Sequence, residues 1–412
     1  MRLNKYSLGI GDRFAHQAKA QLTAIMKAQD LGLEITPVWN KSYREHRIIE
    51  SNPAETRREA DRATRELGYT RPYFVDADHI TMNTVDFFLD HCDFFTLDVA
   101  DFIGQKASGA LMDRFINDHS HDLGPLDIPG IDPAPTVTRE FLAGFASTYL
   151  MAIESAKKIY RYLSRRKGAG NFITEVSMDE VNSPQSLLEF YFILEQLSGI
   201  PVQTIAPKFT GQFNKGVDYT GDLDRFEKDL DQMLVIISHA KRHLRYPEDL
   251  KISIHSGSDK FSLYPVIREL CQKHDQGLHL KTAGTTWLEE VIGLSLSGRE
   301  GLALVREIYA AAYKNIERLC APYKNVVQID RKRLPRPGDV NAWDGTRFAD
   351  TLRHDQEHAH YNAHFRQLLH VGYKIAAGLG KRYLEALKKY HNVIGEQVTV
   401  NLLERHIKPL FF

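Results

Sequence analysis

The amino-acid sequence predicts a (β/α)8 TIM-like barrel followed by a C-terminal helical extension. Eight short apolar runs have the character of strands, and a segment of helical pattern follows each of them. Polar residues gather where these runs end, which is where parallel barrels carry their active sites. A doubly wound sheet is the alternative fold. The strand-like runs begin near Tyr6, Ile35, Tyr73, Phe94, Phe172, Val202, Ile252 and Leu278.

The composition indicates a globular protein with no strong net charge. The 412 residues, of which 43% are hydrophobic, suffice for a large core in one or two domains. The 53 basic and 53 acidic residues cancel, which argues against nucleic acid or a membrane surface as a partner. Three cysteines without CxxC spacing disfavour disulfides and thiolate zinc sites. Because no signal peptide or membrane span is evident, we expect a cytoplasmic protein.

The first strand ends in a glycine-rich turn. Gly9 and Gly11 suggest a dinucleotide-binding loop, but the third glycine of that fingerprint would fall at Phe14. We therefore reject nicotinamide binding here. Arg13 follows this strand directly, and Lys41 follows the second strand.

The third strand ends in the motif VDADHI, which places Asp76, Asp78 and His79 together. A helix is predicted next, from Thr84 to His91. Phe94 begins the fourth strand.

A long excursion is predicted between residues 105 and 135, a stretch rich in Gly, Pro, Asp and His. Long ordered loops are often functional, so His119 and His121 are candidates to reach a site, although solvated loop histidines are the alternative. A long helix is predicted from Phe141 to Leu163.

The later strands bring more ionisable residues to the same edge. In NFITEVSMDE, the alternation of a strand puts Glu175 and Asp179 on one side. The strand from Val202 to Ala206 leads to Lys208, and the last strand ends at Lys281.

The stretch KISIHSGSDKFSLYPVIREL changes from strand to helix periodicity across a dense polar turn. His255 lies at the strand end, where a metal ligand or an acid–base group is expected. Ser256, Asp259 and Lys260 in the turn are candidate substrate-binding residues.

The pattern beyond Val291 is helical, so we divide the chain into a barrel of residues 1–290 and a helical extension of residues 291–412. Its segment RHDQEHAHYNAHFRQLLHVGYK could join the site, form a surface turn, or cap the barrel mouth. Helical spacing puts His360 and His364, which are four residues apart, on one face of a helix, and histidines at this spacing can bind one metal ion together. The five histidines are His354, His358, His360, His364 and His370.

Histidines and carboxylates on neighbouring strand ends match a site for a divalent ion such as zinc, manganese or nickel. We predict His79, Glu175 and His255 as its ligands. Nearby lysines would hold an anionic substrate or stabilise an enolate.

Several motifs resemble those of the tagaturonate/fructuronate epimerase family of bacterial hexuronate catabolism. The resemblance runs through nearly the whole chain and implies a metal-dependent enzyme that interconverts D-tagaturonate and D-fructuronate. The motifs are VDADHI, ITEVSMDEVNSP, IAPKFTGQFNKG, KISIHSGSDKFSLYP, LHLKTAG and FRQLLHVGYKIA.

These two sugars differ at the carbinol β to the ketone, whose C–H bond is not acidic. Inversion then requires temporary hydride removal or retro-aldol cleavage, and the failed nicotinamide fingerprint favours cleavage. We predict Asp78 as the general base, with Asp76 or Asp179 as alternates. The expected cofactor is thus a divalent metal ion, and the expected partner is a small hexuronate substrate.

The substrate carboxylate needs a cation. Arg13 is the better anchor because a guanidinium binds a carboxylate with two parallel hydrogen bonds. Lys208 or Lys281 would act as the electrophilic helper.

Other functions use the same parts. A metal-dependent aldose–ketose isomerase, a metal-dependent aldolase acting on sugar acids, and a non-catalytic sugar-acid-binding protein remain alternatives. The chain can also assemble as a homo-oligomer.

Overall fold

The computed structural model describes residues 1–181, 183–282 and 284–412. Two positions in the quoted motifs, Asn182 and Ala283, lie outside the described residues. Eight parallel strands close into a barrel, which confirms the predicted (β/α)8 fold and removes the doubly wound alternative. In their order around the barrel, the strands are β1 (Tyr6–Gly11), β2 (Ile35–Ser42), β3 (Phe74–Ile80), β4 (Phe94–Asp98), β7 (Ile173–Ser177), β8 (Thr204–Ala206), β9 (Lys251–Ile254) and β10 (Leu278–Lys281).

Helices connect these strands and cover the barrel with one exception. The predicted helix from Thr84 to His91 is wrong, because only the 3-10 turn Val85–Phe87 forms between β3 and β4. The long predicted helix is correct and extends further at both ends. The connecting helices are α1 (Ala18–Asp30), α2 (Tyr43–Ile49), α3 (Pro53–Glu66), α5 (Arg139–Lys167), α6 (Leu187–Leu197), α7 (Leu223–His243), α8 (Tyr264–Lys273) and α9 (Thr285–Leu296).

The excursion after β4 has its own small structure. It contains α4 (Gly109–Asp118) and a short hairpin of β5 (Gly124–Pro125) and β6 (Thr136–Val137). His119 follows α4, and its Nδ1 lies 2.8 Å from Asp122 Oδ2 and 3.7 Å from Glu195 Oε2 of α6. His119 therefore ties the excursion to a barrel helix.

The C-terminal part is helical, as predicted, and builds a second hydrophobic core around Trp287, Tyr309 and Phe365. The division proposed at residue 290 falls inside α9, whose apolar residues belong to this second core. No helix of the described residues is long and apolar enough to cross a membrane. The elements are α10 (Gly298–Lys314), α11 (Ile316–Cys320), α12 (Pro337–Asn341), α13 (Gly345–Leu352), α14 (Ala363–Gly378), α15 (Lys381–Lys389), α16 (His391–Val400), the π-helix Asn401–Ile407 and α17 (Lys408–Phe411).

The barrel interior is apolar in one layer and charged in the next. Val38, Phe74, Phe94 and Ile173 fill the apolar layer. Above it, Lys281 crosses the barrel next to Gly9, its register partner on β1. A Cβ atom at Gly9 would lie 2.7 Å from Lys281 Cγ, so the glycine is required by packing rather than by a cofactor.

Candidate active site

Two connected cavities lie at the carboxyl ends of the strands. The inner one, of about 280 Å³, lies over the barrel axis, and the outer one, of about 450 Å³, extends toward the helical extension. This is the position expected for the active site of a parallel barrel. The residues that line both cavities are Arg44, Asp179, Glu180, Lys215, His255, Ser256 and Tyr323.

The end of β3 turns His79 toward the inner cavity. The register between β3 and β4 shifts between Ala77 and Ile80, and His79 takes a left-handed backbone conformation with φ +54°. Such irregularities re-aim side chains and are frequent beside active sites. As a result, His79 Nδ1 lies 2.9 Å from Asp78 Oδ1, while its Nε2 lies 3.3 Å from Asp179 Oδ1.

His255, at the end of β9, has two ring nitrogens in different environments. Nε2 lies 2.8 Å from Glu175 Oε1, which can only accept a hydrogen bond, so this nitrogen carries the proton. Nδ1 is buried and lies 3.1 Å from Asp179 Oδ1. A buried ring nitrogen beside a carboxylate is an arrangement in which both groups could bind one cation.

The arrangement fits a divalent metal ion. One donor atom each from His79, Asp179 and His255 lies within 4.8 Å of the others. Metal-binding histidines commonly donate their second ring N–H to a carboxylate, and here Asp78 and Glu175 stand in those positions. The three groups could therefore hold a metal with nitrogen and oxygen ligands.

Glu175, which we predicted as a ligand, lies one layer deeper. Its side chain is fully buried, and Oε2 accepts a hydrogen bond from Thr204. Oε1 is shared between His255 and Lys281. Glu175 is therefore placed to support His255, whereas Asp179 lines the cavity with the two histidines.

Lys281 is the cation of this inner layer. Its ammonium lies 2.7 Å from Asp76, 2.9 Å from Asp78 and 2.8 Å from Glu175. Burial alone would lower the pKa of Lys281, but the three carboxylates outweigh burial and raise that pKa well above its usual value. The ammonium group of Lys281 is thus occupied by the three carboxylates that it orients. These contacts do not match the predicted roles of Lys281 as a carboxylate anchor or electrophilic helper for the substrate.

The site carries surplus negative charge. Burial would lower the pKa of His255, but Asp179 and Glu175 outweigh burial and raise it to about 9. The pKa of His79 is also raised, against burial, by Asp78 and Asp179. Without a metal, both histidines would attract protons, and a divalent ion would replace those protons.

The predicted general bases differ in their access to the cavity. Asp76 is fully buried against Lys281 and Thr96 and does not line the cavity. Asp78 does line it. Burial would raise the pKa of Asp78, but Lys281 and His79 outweigh burial and lower it, which weakens this carboxylate as a base.

Asp98, at the end of β4, was given no role in the sequence analysis. It lines the inner cavity, and burial raises its pKa. Among the described residues, only one of its oxygens is engaged, by the backbone N–H of Ala100 at 3.0 Å. A half-buried carboxylate with a raised pKa is better suited to accept a proton near neutral pH than Asp78 is.

The residues of the polar turn after β9 lie in two different environments, since one lines the cavities and two are buried in contacts that hold the turn. Ser256 lines both cavities. Asp259 is instead buried against Arg366, with Nη2 at 2.8 Å, and Lys260 donates to the carbonyls of Asn214 and Val217. Asp259 therefore joins the barrel to the extension, whereas Lys260 joins two loops of the barrel, and neither residue lines either cavity.

The predicted carboxylate anchors also lie in different places. Arg13 lines the inner cavity, but its guanidinium pairs with Glu45 and stacks 3.9 Å from the Tyr373 ring centroid. Lys208 lines only the outer cavity. Neither is a free cation at the site where His79 and His255 converge.

The histidine-rich segment of the extension does not join the site. In the described part of the chain, none of its five histidines lines either cavity. His354 is buried beside Asp259, and His364 accepts a hydrogen bond from the backbone of Asp330. The extension reaches the cavities through Tyr323 instead.

Sequence reasoning missed Arg44, Lys215 and Tyr323. Arg44 is on α2, Lys215 is in the long loop after β8, and Tyr323 is in a 3-10 turn of the extension. None of the three ends a strand, so a search of strand ends could not find them. The one available signal was the polar motif IAPKFTGQFNKG, which contains Lys215.

Comparison with known proteins gives consistent results. The model of a family described as tagaturonate epimerase matches residues 1–123 and 131–409 of this chain. The tagaturonate/fructuronate epimerase of Thermotoga maritima is 28% identical over 423 aligned residues, which cover 98% of this chain and 80% of that protein.

Solved structures share the fold. The native crystal structure of the fructuronate-tagaturonate epimerase from Cohnella laeviribosi matches with a TM-score of 0.82 and 23% identity, covering 100% of this chain and 82% of that one. A glycerol complex of the same enzyme gives a TM-score of 0.79, 23% identity and coverage of 98% and 82%. At this identity, the match establishes a common fold.

The buried network makes a first prediction. Replacing Lys281 by methionine leaves three carboxylates without their cation, and the free energy of unfolding should fall by about 3–5 kcal/mol. Asp78 and Glu175 have lowered pKa values in the folded protein, so this contribution is present above their unfolded pKa values and lost as pH falls. Urea unfolding should therefore show a smaller deficit at pH 4 than at pH 7.

The matched control is Lys5→Met. Lys5 pairs with Asp275 at the surface, where the lysine side chain is 42% exposed and the carboxylate 92%. Such pairs contribute less than about 1 kcal/mol. Equal effects of the two substitutions would contradict the role given to Lys281.

Proposed function

The chain belongs to the tagaturonate epimerase family, and we propose that it interconverts D-tagaturonate and D-fructuronate with the help of a divalent metal ion. The observation that carries the proposal is the convergence of His79, Asp179 and His255 on one point of a cavity at the barrel mouth. The named activity of the Thermotoga maritima relative supports the choice of substrates.

We assign the metal to His79 Nε2, Asp179 and His255 Nδ1, with zinc, manganese and nickel as the ions that suit this donor set. A bound divalent ion would supply Lewis-acid stabilisation of negative charge on the substrate oxygens. The carboxylates of Asp78 and Glu175 hold the two imidazole rings in place. Lys281 in turn fixes both carboxylates.

The inversion proceeds by cleavage and re-formation of a carbon–carbon bond. A base takes the proton of the hydroxyl on the inverted carbon, and that carbon becomes an aldehyde as its bond toward the ketone breaks. The electron pair of that bond stays on the ketone-bearing fragment. The aldehyde then rotates, the same pair attacks its opposite face, and the base returns the proton. No oxidant or reductant is required.

We assign the base to Asp98 rather than to Asp78. The base must reach the substrate hydroxyl and be able to accept a proton near neutral pH. Asp98 lines the inner cavity with a raised pKa, whereas Asp78 is bound to His79 and Lys281. Asp179, the remaining alternate, is occupied as a ligand in this assignment.

Two amide substitutions separate these roles. Asp98→Asn should lower kcat about 10²–10⁴-fold, because the proton acceptor is lost, while the metal content stays the same. Asp78→Asn should instead lower the affinity for the metal about 10–100-fold, because it weakens the support of His79. Steady-state kinetics and metal analysis of both variants are the measurements. Wild-type turnover in Asp98→Asn would remove Asp98 from the mechanism.

Turnover in deuterated water tests the reaction itself. We expect the metal-loaded protein to convert D-tagaturonate into D-fructuronate, followed by NMR, with no deuterium at the inverted carbon. In a cleavage route the hydrogen never leaves that carbon, so a deuterium label placed there should give only a small secondary isotope effect.

Three outcomes would count against the proposal. Absence of the product would refute the assigned activity. Solvent deuterium at the inverted carbon would refute cleavage in favour of proton abstraction. A primary isotope effect from the labelled substrate would refute it in favour of hydride transfer.

A further inference from the structure

Two of the cations that line the cavities form no salt bridge with the described residues, although Glu180 interacts with both of them electrostatically. Arg13 pairs with Glu45, and Lys281 is held by three carboxylates. Arg44 and Lys215, which line both cavities, form no salt bridge with any residue in the described ranges. Cations at the edge of a buried site are costly unless an anion joins them.

Lys215 is positioned from two directions. Its Nζ donates a hydrogen bond to Oγ of Ser256 at 3.1 Å, and Ser256 is the residue that follows the candidate ligand His255 in the chain. Its backbone N–H donates to the carbonyl of Val326 in the extension at 2.8 Å. The side chain is half-buried, and desolvation, with further contributions from Arg13 and Arg44, lowers the pKa of Lys215. A bound carboxylate would offset both the desolvation of Lys215 and its repulsion by Arg13 and Arg44.

Arg44 lines the same two cavities as Lys215. It lies in the first turn of α2, which begins with a capping box formed by Ser42 and Glu45. Its guanidinium carbon lies 5.7 Å from the centroid of the Tyr323 ring. Tyr323 OH is 3.1 Å from Tyr373 OH, so the aromatic wall behind the guanidinium is held by the extension.

The charges at the site are therefore separated. Carboxylates, namely Asp78, Asp98 and Asp179, surround the point where the histidines converge. Arg44 and Lys215 line both cavities, as Glu180 does, and so lie nearer the outer cavity than Asp78 and Asp98, which line only the inner one. A uronate has matching ends, with a keto-hydroxyl group at one end and a carboxylate at the other.

We propose that Lys215 and Arg44 bind the carboxylate of the substrate and thereby select uronates over neutral ketohexoses. This inference rests on the proposed function and replaces Arg13 as the anchor, because the guanidinium of Arg13 is already paired. Ser256, which has a left-handed backbone conformation with φ +51°, accepts the hydrogen bond that positions Lys215.

The test compares D-tagaturonate with D-tagatose, which carries a neutral hydroxymethyl group in place of the carboxylate. Lys215→Met should lower kcat/KM for D-tagaturonate about 10–100-fold, mainly through KM, because a charged hydrogen bond is lost. The value for D-tagatose and the metal content should stay the same. Lys215→Arg should restore the preference for the uronate.

Lys314→Met is the matched control, since Lys314 is exposed on α10 and lines neither cavity. It removes the same charge and should leave both substrates unaffected. Equal losses for D-tagaturonate and D-tagatose in Lys215→Met would overturn the inference while leaving the proposed function intact.

A binding measurement separates the inference from the activity. D-galactonate carries the carboxylate but no ketone, so it cannot be epimerised. Calorimetric titration should show about 10–100-fold weaker binding of D-galactonate to Lys215→Met than to the wild type. If the wild type does not epimerise D-tagaturonate but Lys215→Met still binds D-galactonate more weakly than the wild type does, the carboxylate site is supported and the proposed function is refuted. Unchanged binding would overturn the carboxylate site.

Discussion

The ammonium group of Lys281 determines the geometry of the barrel mouth. It is buried among three carboxylates, two of which hold the imidazole rings of His79 and His255. A lysine is suited to this position because its long chain crosses the barrel over Gly9. The rings are thereby fixed before any ligand arrives, which is the preorganisation that a metal site requires. The strained backbone at His79 is consistent with the same requirement.

The helical extension contributes part of the wall of the site. Tyr323 closes one wall of both cavities, and the backbone of Val326 holds the loop that carries Lys215. Asp259, buried against Arg366, anchors the turn after His255 to the same extension. The groups to which we assign catalysis thus come from the barrel, whereas the groups that we infer to bind the carboxylate depend on contacts with the extension.

The sequence predicted the fold and the region of the site because strand periodicity and strand-end polar residues are local signals. His79 and His255 were identified in this way. Depth within the barrel is not a local signal. Alternation places Glu175 and Asp179 on one side but does not say which of them faces the cavity, so the sequence analysis chose Glu175 as a ligand where we now propose Asp179. Arg13 was overvalued because its partner Glu45 lies on another element.

Diffraction from metal-soaked crystals tests the central claim most directly. Anomalous data collected at the absorption edge of the bound metal would locate the ion independently of the surrounding atoms. We expect one strong peak in contact with His79 Nε2, Asp179 and His255 Nδ1, with His255 Nε2 still facing Glu175. A peak coordinated by Glu175 or by His255 Nε2, or one that does not contact His79, would contradict the assignment of Glu175 and Lys281 to a supporting role.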